Sequence, residues 1–148
     1  NIHIFGIKDM PVFTLLETTS TEEQLNYVGK PIRAAGWYGY TQCLQTIAVF
    51  ISNFTGRIFI EGTLNNDPNQ TTDWFPIQLN GSDYLEFPNN PIVGNSIFDG
   101  DTGVYGYTFR SNLLYIRARV FRSYFITDPV TPDQIMQLGA VQKIDLCF

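Results

Sequence analysis

Apolar side chains recur at every second position along several short stretches of this 148-residue chain. A helix cannot keep such a period on one side, because its side chains return to a face every 3.6 residues. From Leu44 to Ser52, Ile47, Val49 and Ile51 share one face of an extended strand. From Arg57 to Leu64, Ile58, Ile60, Gly62 and Leu64 alternate with Arg57, Phe59, Glu61 and Thr63. Leu113 to Phe125 carries the longest such signal. Its even residues Leu114, Ile116, Ala118 and Val120 are expected toward a core, with Tyr115, Arg117 and Arg119 facing out. Turn formers separate these stretches: Asn53-Phe54-Thr55-Gly56, a polar run from Asn65 to Thr72, Asn80-Gly81-Ser82-Asp83, and a segment over 88–103 rich in Gly, Pro and Asn. The pattern predicts a hairpin over 44–64 and a strand from Trp74 to Leu79, pushed to an edge or bulge by Pro76. It also predicts a strand from Val104 to Phe109 and strands near the termini over 2–7, 12–16 and 140–148.

Helical signals are few. Thr131 is placed to cap a helix, with Pro132 at its first position, Gln134 completing a capping box and Gly139 ending it. Ser20 with Glu23 marks a second, shorter helical turn. Ile32 to Tyr40 reads as extended but glycine-punctuated, an edge strand or a loop that displays rings. The sum is about eight strands and one or two short helices. That predicts an all-β antiparallel sandwich, jelly-roll-like, as a single domain over 1–148. Residues 1–23 form a candidate N-terminal arm and 140–148 a terminal strand. The apolar stretches Ile2–Ile7 and Ile144–Phe148 suit pairing in their own sheet or addition to a neighbour's sheet edge.

Charged residues make up 16% of the chain, against roughly 25% in an average soluble protein, while aromatic residues reach 15%. The missing charge is replaced by uncharged polar residues, including 14 Thr and 11 Asn, which suits strands and turns rather than long helices. A net charge of −5 argues against nucleic acid as the main partner. Four arginines over 110–122, with Phe109, Tyr115 and Phe121 interleaved, resemble a basic stacking strand, but the preceding stretch is acidic. No apolar run is long enough to cross a membrane as a helix, and Asn1 to Met10 lacks the basic patch and apolar core of a signal peptide.

Signs of chemistry are sparse. His3, in Ile2-His3-Ile4-Phe5, has no nucleophile beside it in sequence, and no phosphate loop or zinc spacing occurs. Cys43 and Cys147 lack a metal-binding spacing and are expected as free, buried thiols, so neither an enzyme nor a bound cofactor is expected. Asp99-Gly100-Asp101 resembles the start of a calcium loop but lacks its remaining ligands, so an ordinary tight loop competes with a cation site. Asp73-Trp74-Phe75 pairs a carboxylate with rings, as sugar sites do, or places a packed Trp at a strand start. Three Asn-x-Ser/Thr matches, at Asn53, Asn69 and Asn80, are about what chance produces at this composition.

Trp37, Tyr38 and Tyr40 are the best display candidates, because Gly36 and Gly39 flank them. They suit a protein contact, a sugar stacked on their faces, or plain packing. Charge is sorted into blocks: residues 58–109 hold seven acids and no base, and 110–122 hold four arginines and no acid. Neighbouring strands pairing opposite charges would explain this, for example Glu61 with Arg119. A head-to-tail contact between copies would explain it too, with Glu61, Arg117 and Arg119 as outward charges.

The run Ser52-Asn53-Phe54-Thr55-Gly56-Arg57-Ile58-Phe59-Ile60-Glu61-Gly62-Thr63-Leu64, followed by Asp73-Trp74-Phe75, resembles a pattern in virion proteins of tailed bacteriophages. There a Phe-Thr-Gly turn opens a strand ending in Gly-Ser/Thr-Leu, and a Trp opens the next. A later strand of the type Leu114-Tyr115-Ile116-Arg117-Ala118-Arg119-Val120 follows, after a Gly-x-Tyr similar to Gly106-Tyr107 or Gly103-Val104-Tyr105. The resemblance covers roughly residues 46–125 and brings no catalytic residue with it. It implies a β-sandwich with a structural role on a virion: capsid decoration or cement, or a neck or tail accessory. The partners implied are other virion proteins and copies of the chain itself. The competing class is a carbohydrate-binding or adhesive module that holds a host glycan on Trp37, Tyr38 and Tyr40, with calcium at Asp99 and Asp101.

Overall fold

The computed structural model describes residues 12–17, 24–68, 72–88, 96–126 and 130–148. The elements are β1 (Val12–Glu17), β2 (Tyr27–Val28), β3 (Ile32–Arg33), β4 (Cys43–Phe54), β5 (Gly56–Thr63), β6 (Phe75–Pro76), β7 (Leu85–Phe87), β8 (Asp101–Ser111), β9 (Tyr115–Phe121), α1 (Pro132–Gln137) and β10 (Ala140–Cys147). The strand expected over 2–7, His3 within it, and the helical turn expected at Ser20–Glu23 lie outside the described residues.

All strand pairs are antiparallel, and the strands form two sheets. One runs in the order β1-β10-β4-β8; the other runs β2-β9-β5-β6, with β3 also on β9 and β7 also on β5. Short strands β2 and β3 share one lane, as do β6 and β7, so ten segments fill eight lanes. Within a lane, and from β5 to β6, the chain stays in one sheet; every other connection passes to the opposite sheet. That path is a jelly roll, the all-β antiparallel sandwich expected from the alternation.

The core lies between the sheets. Ile47, Val49, Ile51, Ile144 and Leu146 from the first sheet meet Ile58, Ile60, Ile116, Ala118 and Val120 from the second. These are the inward residues of the period-2 stretches, and each fully buried aliphatic side chain contributes roughly 1.5–3 kcal/mol. Helix α1 is capped as its sequence requires. The Gln134 amide N–H donates to Thr131 Oγ1 at 3.2 Å, and the Thr131 N–H donates back to Gln134 Oε1 at 2.9 Å.

Three expectations are corrected. Residues 44–64 are not a hairpin: β4 pairs with β10 and β8, whereas β5 pairs with β9, β6 and β7. A turn looks the same in sequence whether it folds a strand back or throws it across the core. Here Asn53 adopts φ 49°, Phe54 inserts fully into the core, and the Thr55 N–H donates to Leu138 O at 3.0 Å. Among the described residues the longest strands are β4 and β8, not the 113–125 stretch, of which β9 occupies seven residues. At the start of that stretch, the Leu114 N–H donates to Thr63 O at 2.9 Å outside the ladder. Finally, Leu64 is exposed while Glu61, expected outward, is buried. It does leave the core face, but neighbouring side chains cover it.

Candidate functional site

The loop between β3 and β4 presents the ring cluster. It is anchored from below: Ala34 and Ala35 are fully buried, and the Ala34 and Gly36 N–H groups donate to Leu114 O and Leu113 O at 2.8 and 2.9 Å. A tight turn follows, with the Trp37, Tyr38 and Gly39 N–H groups donating to Ala34, Ala35 and Gly36 carbonyls. The flanking glycines serve the backbone rather than a partner's access. A Cβ on Gly36 would lie 1.9 Å from Asn112 O, and Gly39 adopts φ +93°. The rings are nonetheless displayed. Trp37, Tyr38 and Tyr40 expose 40%, 48% and 55% of their surface.

These rings belong to a larger patch. Trp37 and Tyr38 meet edge to face at 4.9 Å, and the Arg33 guanidinium lies over the Trp37 ring at 4.2 Å. Tyr38 reaches Phe148 at 5.8 Å, and Phe148 stacks on Phe13 at 5.5 Å. Phe13 and Phe148 escape a sequence reading because only the β1–β10 register, Phe13 opposite Leu146, brings two distant stretches together. The stacking of Arg33 on Trp37 likewise has no signal in the sequence reading.

Glu61, Arg117 and Arg119 do come together, on the outer face of β5 and β9. Arg117 Nε donates to Glu61 Oε1 at 2.9 Å, and Arg119 Nε donates to Glu61 Oε2 at 3.1 Å. The Arg117 guanidinium also lies 4.4 Å from the Trp74 ring centre, and that of Arg119 lies 4.1 Å from Phe59. The side chains of Glu61, Arg117 and Arg119 are 8%, 10% and 30% exposed. Arg117 is therefore no outward charge, and of the three expected charged contacts Arg119 alone keeps substantial access. The same face continues at Arg57, which pairs with Glu86 at 2.9 Å and lies between the Tyr84 and Tyr124 rings at 4.4 and 4.0 Å. Burial and the adjacent Glu86 carboxylate, which accepts from Tyr124 Oη, push the Tyr124 phenol well above its ordinary value.

Asp99 and Asp101 lie at the entrance to β8. Asp99 Oδ2 accepts from the Ser96 N–H at 3.3 Å. Among the described residues, no three His, Cys, Asp or Glu side chains gather to hold a metal ion. Asn53 organises this loop instead: its Oδ1 accepts from the Gly100 N–H at 3.0 Å, and its Nδ2 donates to Phe98 O and Gln137 O. Cys43 and Cys147 are free, as expected, but half-buried rather than buried.

Beside the ring cluster lies a cleft of about 460 Å³, lined among others by Gln42, Phe75, Gln78, Arg110, Ser111 and Asn112. Sequence reasoning missed it because its walls come from three separated segments. No family model, curated protein or solved structure matches the chain.

Proposed function

We propose that this chain is a non-enzymatic structural protein of a phage virion, built in many copies by protein–protein contact. The observation that carries the reading is the ring patch: Trp37, Tyr38 and Tyr40 stand exposed on a loop whose backbone is fixed from below. Rigid aromatic side chains are the usual anchors of protein interfaces, because burying them costs little conformational freedom. The jelly roll is compatible, being used by viral capsid and lectin domains, but the fold alone does not choose between them. The resemblance over residues 46–125 inclines the choice toward a capsid-decoration, neck or tail component.

The second reading, a glycan-binding module, is supported by the cleft. Amide and hydroxyl groups from Gln42, Gln78, Asn112 and Ser111 line it together with the Phe75 ring. One experiment separates the two. The wild type and the Trp37→Ala/Tyr38→Ala/Tyr40→Ala variant are compared by light scattering and on a glycan array. The structural reading expects multimers or particle association that the variant loses with its fold intact. A strict monomer retained by glycans in a Trp37-dependent way would overturn it.

A further inference from the structure

Among the described residues the two sheets have four outer edges, and three of them carry devices that discourage pairing with another chain. The β2/β3 edge consists of two two-residue strands interrupted by Gly29-Lys30-Pro31. The β6/β7 edge has two and three residues and includes Pro76. The β1 edge is bulged between Thr14 and Leu16 and ends on Glu17.

The β8 edge is different. It is 11 residues long, pairs with β4 along its inner side, and pairs with no described strand along its outer side. It contains no Pro and no Lys, and the irregularity near its start falls on β4, between Ile51 and Phe54. Its charges, Asp101 and Arg110, sit near its two ends. An unpaired edge of this length is a template for strand addition.

We propose that the occupant is a second copy of the chain, with β8 paired antiparallel to β8 about a twofold axis at Gly106. The sequence of the strand is self-complementary in that register. Val104 meets Thr108 of the second copy, Thr102 meets Arg110, and Asp101 meets Ser111, so no like charges are opposed. On the core side, Tyr105 meets Tyr107 of the second copy and Gly103 meets Phe109. Tyr105, Tyr107 and Phe109 pack only partly into their own core, which leaves ring surface for such a neighbour. At the axis, a Cβ on Gly106 would meet nothing within 4 Å, so two glycines there allow close approach without being required by their own fold. The two four-stranded sheets become one eight-stranded sheet. This surface differs from the ring patch, so the two can fail separately.

The test uses the full chain. Val104 and Thr108 point to solvent on the outer face, so charges there leave the core untouched. The double variant Val104→Lys/Thr108→Lys opposes lysines twice across the axis and should weaken dimerisation by roughly tenfold or more in sedimentation velocity. Val104→Glu/Thr108→Glu should behave likewise, and mixing the two variants should restore a dimer. In a second measurement, Gly106→Cys should form an intermolecular disulfide under mild oxidation, because opposed residues place their Cα atoms within disulfide reach. Val104→Cys, which faces Thr108 instead, should not. A wild type that stays monomeric at all concentrations would overturn the proposal. So would lysine and glutamate variants that dimerise as the wild type does, or cross-linking equal at 104 and 106. Loss of self-association in the ring variant alone, with β8 variants unaffected, would reject the edge contact and keep the ring patch.

Discussion

Arg122 shows how far one side chain can organise this molecule. It is fully buried. Its Nε donates to Leu25 O at 3.1 Å, Nη1 to Gly139 O at 3.1 Å and Nη2 to Gln24 O at 2.5 Å, so the segments before β2 and between α1 and β10 are tied to the end of β9. The planar fork explains why an arginine serves here: no other side chain offers three donors in such directions. Arg122→Met is expected to lower stability by about 3 kcal/mol or more, since it leaves several buried carbonyls without donors. Arg122→Lys should recover little of that in urea melts, because one ammonium cannot reach all three. The signal for burial was present in the sequence. Position 122 continues the even, inward series Ile116, Ala118 and Val120, so the basic stretch over 110–122 is not one basic face. What alternation could not supply was the set of carbonyls that makes a buried arginine tolerable.

At the scale of elements, the outer face of β5 and β9 trades exposure for order. The cross-strand opposition of Glu61 and Arg119 was readable from charges alone, but the register sets Arg117 directly opposite Glu61, with Arg119 diagonal to it. Glu61 holds both arginines, and Trp74 covers the inner one. A buried ion pair contributes less than its geometry suggests, yet removing one partner strands the other. Glu61→Ala should therefore cost about 3–5 kcal/mol, whereas Arg119→Ala, at a more exposed site, should cost about 1 kcal/mol or less. Equal losses in chemical denaturation would contradict the ranking drawn from burial.

The molecule as a whole carries a pH signature. Burial raises the phenols of Tyr105, Tyr107 and Tyr124 above the ordinary value of 10, with help from Asp101 at Tyr105, Tyr105 at Tyr107 and Glu86 at Tyr124. The unfolded chain releases these protons at lower pH than the folded one. Their stabilising contribution is thus complete below about pH 10 and is lost as pH rises through the folded values. Burial lowers the Arg122 guanidinium to about 10, and that shift acts in the opposite sense. Three phenols against one guanidinium should leave a net loss. Urea midpoints should fall between about pH 10 and about pH 11, and Tyr124→Phe should flatten the decline.

By itself, the sequence determined most of the residues that face the core, though not Leu64 or Leu114, where α1 begins and ends, and that the chain would form an antiparallel sandwich. Those properties depend on spacing and local chemistry. Whether β4 and β5 form a hairpin or belong to opposite sheets was decided only by tertiary structure, because the same turn residues permit both. So was the assembly of Phe13, Trp37, Tyr38 and Phe148 into one patch, and the burial of Glu61 together with Arg117, which lies against Trp74. These depend on strand order and register, which bring together residues that no local period relates.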